Sequence, residues 1–121
     1  MKEKKKELKK QYAQTMQPMG IYQVRNLTNG KILIARGLNV HGIINSCKFQ
    51  LANGSHMNKE LQHDFNKLGP HNFAFEIIDR LDPQADTPMD YSDDLKLLEE
   101  MWIEKLQPFD EKGYNKRKII R

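Results

Sequence analysis

Hydrophobic positions in the chain form three short segments with strand character. Residues 20–26 and 31–35 are apolar and rich in β-branched side chains, and Asn29 and Gly30 between them tolerate the positive φ of a tight turn. This pattern predicts an antiparallel hairpin. Phenylalanine and isoleucine alternate with other residues over 72–79, which predicts a third strand.

Three other segments have the spacing of amphipathic helices. Their apolar residues fall on one face in 42–51 (Ile43, Ile44, Cys47, Leu51), 57–68 (Met57, Leu61, Phe65, Leu68) and 92–106 (Leu95, Leu98, Trp102, Leu106). Gly54 and Gly69 are expected to end the first two helices, and Ser55 and Ser92 to cap the second and third. Residues 81–91, which contain two prolines, are expected to form an exposed loop.

The length of 121 residues is enough for one small core and too short for two domains. We predict a domain over 19–115, a basic arm or marginal helix over 1–18 and a basic tail over 116–121. The sequence contains neither an apolar run long enough to span a membrane nor the pattern of a signal peptide. Together with a single cysteine, Cys47, this predicts a cytoplasmic protein without a membrane partner.

The formal net charge of +4 is distributed unevenly along the chain. Residues 1–10 and 11–75 carry +4 each, residues 76–111 carry −9 and residues 112–121 carry +5. Basic segments of this kind are typical of proteins that bind polyanions, because Lys and Arg neutralise phosphates and release counterions. Solvated ends that keep a small protein soluble are the alternative interpretation.

Several short motifs occur in an order that resembles the GIY-YIG nuclease family. They are Gly20-Ile21-Tyr22, Leu33-Ile34-Ala35, Leu61-Gln62, Phe65-Asn66-Lys67-Leu68-Gly69, Phe73 to Ile77, Glu99 with Trp102-Ile103, and Gly113-Tyr114-Asn115. The second motif departs from Tyr-Ile-Gly. The resemblance covers residues 19–115. This region is similar to the catalytic domains of phage homing endonucleases of this family.

This resemblance implies an α/β fold of the α+β type, a small three-stranded antiparallel sheet flanked by helices. It also implies an endonuclease that hydrolyses DNA phosphodiester bonds with one divalent ion, Mg²⁺ or Mn²⁺. By the same resemblance, Tyr22 helps to activate the nucleophile and Glu99 holds the metal, with Glu100 as the neighbouring alternative. Asn115 and His56 match supporting residues of the site. A phenol accepts a proton only if its pKa falls below the usual value of about 10.

Four positions depart from the residues that the resemblance implies. Leu33 replaces the second tyrosine, Ala35 a glycine, Ile43 the catalytic arginine of the first helix, and Cys47 a basic or histidine position. Isoleucine neither donates a hydrogen bond nor neutralises a phosphate. Because the loss of one preorganised donor costs about 2.7–4 kcal/mol of transition-state stabilisation, we expect cleavage to be slow.

Three basic residues are expected to contact nucleic acid. They are Arg25, Arg36 and Lys48. Arg36 and Lys48, at the predicted strand end and in the first helix, are the candidates to replace the missing arginine.

Three functions remain open from the sequence. The first is a weak metal-dependent endonuclease, the second a nuclease-like fold that binds DNA without cutting it, and the third a protein interaction module that uses the acidic segment 76–111. A cysteine nucleophile at Cys47, with His41 or His56 nearby, is disfavoured because no cysteine-enzyme motif surrounds it.

Overall fold

The computed structural model describes residues 18–82 and 90–117. Within these ranges the elements follow in the order β1 (Met19–Asn26), β2 (Ile32–Gly37), α1 (Val40–Asn53), α2 (Lys59–Leu68), β3 (Phe73–Leu81) and α3 (Ser92–Leu106), with a short 3₁₀ turn at Pro70–Asn72 before β3. The predicted arm apart from Pro18, residues 83–89 of the predicted loop, and residues 118–121 of the predicted tail lie outside the described residues.

The three strands form one antiparallel sheet in the order β2-β1-β3, so β1 is central. The β1–β2 connection turns at Gly30, whose φ of 79° is one that glycine adopts without strain. Asn26 closes the hairpin, since its amide N–H donates to the carbonyl of Lys31 at 2.8 Å. The predicted hairpin and the predicted α+β fold are confirmed.

Strand alternation gives the sheet two different faces. Helices α1 and α2 cover the face that carries Tyr22 and Val24, and the main core is formed there by Tyr22, Val24, Val40, Ile44, Cys47, Leu51, Leu61, Phe73 and Tyr114. Helix α3 packs against β1 and β2, where Leu95 and Met19 belong to a second small cluster. No helix in the described part of the chain is both long and apolar enough to cross a membrane.

The start of α2 differs from the expectation. Asn58, not Ser55, caps this helix, because its Oδ1 accepts from the amide of Leu61 at 3.0 Å. The amide of His56 instead donates to the side chain of Gln62, which holds the segment before the cap in a bend. Met57 therefore points away from the core and is 89% exposed.

The start of α3 also differs from the expectation. Ser92 is the first helical residue, Tyr91 holds the cap position, and no side chain caps the helix. The amide of Ser92 donates to Asp90 Oδ1 at 2.9 Å, so this aspartate fixes the chain just before the helix without capping it. Of the predicted buried face of α3, Leu95 is buried, whereas the remaining three residues, Leu98, Trp102 and Leu106, are half-buried.

Candidate functional site

Tyr22 lies in the centre of the sheet, on the face that α1 covers. It pairs with Ala35 on β2 and Ile77 on β3, and only 5% of it is exposed. Leu33, at the position of the second family tyrosine, packs half-buried against the same core and has no hydroxyl. Tyr22 therefore belongs to the main apolar core, and the residue at the position of the second tyrosine adds no polar group to that core.

The surroundings of Tyr22 oppose its ionisation. Burial, followed by the electrostatic effects of Cys47 and Glu99, raises the pKa of Tyr22 to about 12. At neutral pH the phenol consequently keeps its proton, so it is not poised to act as a general base.

Helix α1 carries two of the replaced positions. Ile43, at the arginine position, is 40% exposed. It packs tightly on Gly37, because a Cβ added to Gly37 would lie 2.6 Å from Cγ2 of Ile43. Cys47, one turn later, is buried, and burial raises the pKa of its thiol to about 11. A protonated buried thiol is a poor nucleophile, which agrees with the interpretation of Cys47 as a core residue.

Glu99, on α3, forms an ion pair with Arg36 at the end of β2. The Nη1–Oε1 distance is 2.6 Å, and the side chain of Glu99 is 17% exposed against 43% for Arg36. Arg36 pairs with Ile21, so it lies on the face opposite Tyr22. Glu99 nevertheless has an electrostatic effect on Tyr22, where its negative charge contributes to the raised pKa of the phenol.

The donor set around Glu99 does not fit a divalent metal as it stands. A guanidinium already satisfies the carboxylate, and no group of three or more His, Cys, Asp or Glu side chains within 18–82 and 90–117 is arranged to hold an ion. Mg²⁺ is commonly held by one or two carboxylates with water completing its shell, so it is the guanidinium on Oε1, and not the lack of a larger cluster, that opposes an ion at Glu99.

Asn115 uses its amide group to extend the sheet. Its Oδ1 accepts from the amide of Ile34 at 2.8 Å, and its Nδ2 donates to the Ile34 carbonyl at 2.9 Å. These bonds fix β2 next to the positions of Leu33 and Ala35. The geometry is that of a structural support, with both polar atoms of the amide engaged.

His56 lies between α1 and α2. Its Nδ1 accepts from the amide of Asn58 at 3.0 Å, and burial lowers the pKa of the imidazole. The ring is therefore neutral at pH 7, and its hydrogen bonds serve the connection between the two helices.

The remaining predicted DNA contacts lie in two other places. Arg25 is on the face opposite Tyr22 and forms an ion pair with Glu76 at 2.8 Å. Lys48 lies over the ring of Phe75, with its Nζ 5.1 Å from the ring centroid. The structure thus brings Arg36 to Glu99 but brings neither Arg25 nor Lys48 there.

Sequence reasoning missed Arg80 as a candidate residue of this region. Arg80 pairs with Gly20, which lies two residues before Tyr22 on β1 and therefore on the same face of the sheet. Arg80 consequently faces the side that α1 covers. It is exposed and has no ion-pair partner among the described residues. A β-bulge opposite Ile21 and Tyr22 causes this placement, because regular pairing would set Asp79 against Gly20. The strand pattern contains no local signal for that bulge.

Comparison with known proteins supports the predicted resemblance. The catalytic domain of the homing endonuclease I-TevI matches with a TM-score of 0.68 and 26% identity, over 83% of this chain and 99% of that chain. A mutant of the catalytic domain of the intron endonuclease I-TevI matches with a TM-score of 0.66 and 26% identity, over 81% and 92%. No protein-family model and no curated protein matches the sequence significantly. The strand order, the helices that flank the sheet and this structural match show that the chain has the fold of the GIY-YIG catalytic domain of I-TevI.

Proposed function

We propose that this chain binds duplex DNA through its nuclease-like domain and has lost phosphodiester cleavage. The observation that carries the proposal is the ion pair between Arg36 and Glu99, with an Nη1–Oε1 distance of 2.6 Å. It places a protein cation on the carboxylate that the resemblance assigns to the metal.

The other site positions support the loss of cleavage. Hydrolysis of a phosphodiester requires an activated water, a Lewis acid and positive charge at the phosphoryl oxygens. Tyr22 keeps its proton, and Ile43 supplies no charge at the arginine position. A single lost donor of this kind slows catalysis by about a hundredfold to a thousandfold.

Charge distribution supports the DNA-binding part of the proposal. Residues 11–75 carry six basic and two acidic side chains, and residues 112–121 add five basic ones. Arg80 adds an exposed guanidinium on the face of the sheet that carries Tyr22. Phosphate contacts by such residues bind DNA without dependence on base sequence.

A slow metal-dependent endonuclease is the second candidate function. It is favoured by the retention of both Tyr22 and Glu99, and by the electrostatic effect of Glu99 on the Tyr22 phenol. In that case Mg²⁺ or Mn²⁺ would displace Arg36 from Glu99 when DNA binds.

A plasmid-nicking assay distinguishes the two candidates. Supercoiled plasmid is incubated with Mg²⁺, with Mn²⁺ and with EDTA, using the wild-type protein and the Glu99→Ala and Tyr22→Phe variants. We expect no metal-dependent nicking by the wild type. Nicking that requires both Glu99 and metal would establish the second candidate instead.

Binding to a short DNA duplex is measured in parallel by fluorescence anisotropy at increasing salt. We expect affinity that falls steeply with salt concentration. If the protein binds no duplex even at low salt, DNA binding is rejected and the acidic segment 76–111 becomes the candidate surface for a basic protein partner.

A further inference from the structure

The contact between Arg36 and Glu99 is set by two elements of the fold. Arg36 is the next-to-last residue of β2, and its register with Ile21 directs it to the face on which α3 packs. Glu99 lies in the middle of α3 and has a side chain only 17% exposed. A carboxylate with so little access to water requires a partner, and Arg36 is the one that the backbone provides.

A guanidinium and a divalent ion compete for such a carboxylate. Both neutralise it, but an ion held by one carboxylate takes its other oxygen ligands from water and needs open space there, whereas the Glu99 side chain is only 17% exposed. With Arg36 2.6 Å from Oε1, an incoming metal ion would meet a like charge at close range.

We propose that the Arg36 guanidinium takes the place of a divalent metal at Glu99, so that the domain contacts DNA phosphate without any metal. The phosphate part rests on the proposed DNA-binding function. One N–H of Arg36 donates to Glu99, and the side chain is 43% exposed, which leaves further N–H donors for a phosphate oxygen. Arg36 then acts both as the counter-ion of Glu99 and as a phosphate ligand.

Mn²⁺ titration without DNA tests the first part of this proposal. Free Mn²⁺ is followed by electron paramagnetic resonance with the wild type and with the Glu99→Gln, Arg36→Gln and Arg36→Gln/Glu99→Gln variants. We expect the wild type and Glu99→Gln to bind Mn²⁺ equally weakly. Removal of the like charge in Arg36→Gln should tighten Mn²⁺ binding by at least about tenfold, and the double variant should abolish the gain.

Arg25→Gln is the matched control. Arg25 is also a half-exposed arginine of the sheet that forms an ion pair with a glutamate, Glu76, so this variant removes the same charge elsewhere. The proposal is overturned if wild-type protein binds Mn²⁺ in a manner that requires Glu99, or if Arg36→Gln gains no more affinity than Arg25→Gln. Circular dichroism verifies that each variant is folded.

Duplex binding with EDTA and with Mg²⁺, at matched ionic strength, tests the second part. We expect the wild type to bind the duplex at least as tightly in EDTA as in Mg²⁺. The Arg36→Gln variant should weaken duplex binding more than Arg25→Gln does. A requirement for Mg²⁺ would overturn metal-independent binding. Absence of DNA binding under both conditions would instead reject the proposed function, while the Mn²⁺ titration still decides the role of Arg36 at Glu99.

Discussion

The polar residues near the candidate site are engaged by neighbours within the protein. Both polar atoms of the Asn115 amide group form hydrogen bonds with the main chain of Ile34. The Nδ1 of His56 accepts from the amide of Asn58. Residue types that the resemblance associates with catalysis thus have structural partners in this chain. Their effects are therefore expected first in stability.

Replacement of Asn115 by alanine should destabilise the fold. It removes two hydrogen bonds and leaves the main-chain groups of Ile34 without their partner, a change worth about 1–3 kcal/mol. Urea denaturation followed by the fluorescence of Trp102 measures the free energy of unfolding. Asn45→Ala, at an exposed position of α1, is the control and should change it little. An equal loss in both variants would contradict a specific role for Asn115.

The stability of the protein should fall on acidification because of His56. Burial lowers the pKa of this imidazole in the folded state, so the unfolded state, with a pKa of about 6.5, binds the proton more readily. The stability that comes from keeping His56 neutral is fully present above the unfolded pKa and is lost as the pH decreases below about 6.5. Urea denaturation between pH 8 and pH 5 measures this dependence.

The variant His56→Gln should flatten the pH dependence of the free energy of unfolding over this range. His41→Gln, which changes an exposed histidine on α1, is the matched control and should retain the wild-type slope. Identical slopes in His56→Gln and the wild type would exclude His56 as the group that titrates.

At the scale of elements, the connection between α1 and α2 shows how one side chain defines a helix boundary. Asn58 caps α2 through Oδ1 and also donates from Nδ2 to the carbonyl of Tyr114 at 2.7 Å. The same residue therefore starts a helix and attaches the C-terminal segment to it. Gly54, with a φ of 77°, ends α1 in the left-handed conformation and orients the chain toward this cap.

Asn58→Ala should destabilise the protein by about 1–2 kcal/mol, because it removes the cap of α2 and the bond to Tyr114. Ser55→Ala is the informative comparison, since the spacing of the sequence suggests Ser55 as the cap. Among the described residues, the Ser55 hydroxyl hydrogen-bonds only to the carbonyl of Gln50, at 3.4 Å, so its loss should have little effect. Thermal unfolding of both variants measures the difference, and a larger loss in Ser55→Ala would reject the observed boundary.

At the scale of the whole molecule, the sheet carries a basic residue at the site end that local patterns do not indicate. Because of the β-bulge opposite Ile21 and Tyr22, Arg80 pairs with Gly20. The bulged strand approaches β1 so closely that a Cβ on Gly20 would lie 2.2 Å from the carbonyl oxygen of Asp79. Glycine at that position is what permits the arrangement.

Arg80→Gln should reduce the salt dependence of DNA binding. If the guanidinium neutralises one phosphate, the slope of log K against log salt should become shallower by about 0.9. Fluorescence anisotropy with a duplex over a range of salt concentrations measures this slope. Lys96→Gln removes a charge from the exposed side of α3 and should leave the slope unchanged; an equal change in both variants would indicate a general charge effect.

The order of strands and helices and the hairpin turn were predictable from the sequence alone. Each depends on neighbours within a few residues: the apolar spacing of a helix, the Asn-Gly turn, and the glycines that end α1 and α2. The motif around Tyr22 and the position of Glu99 relative to Trp102 also carried the family resemblance, which the structural match bears out at the level of the fold. The replacements at Leu33 and Ile43 were likewise evident from the sequence.

Only the tertiary structure decided which side chains meet at the candidate site. The contact between Arg36 and Glu99 joins residues 63 positions apart, and the bonds between Asn115 and Ile34 join residues 81 apart. Local periodicity contains no information about such pairs, because they depend on strand register and on the packing of distant segments against β2. The same long-range packing buries Tyr22 and raises its pKa, since burial is a property of the assembled core and not of any single segment.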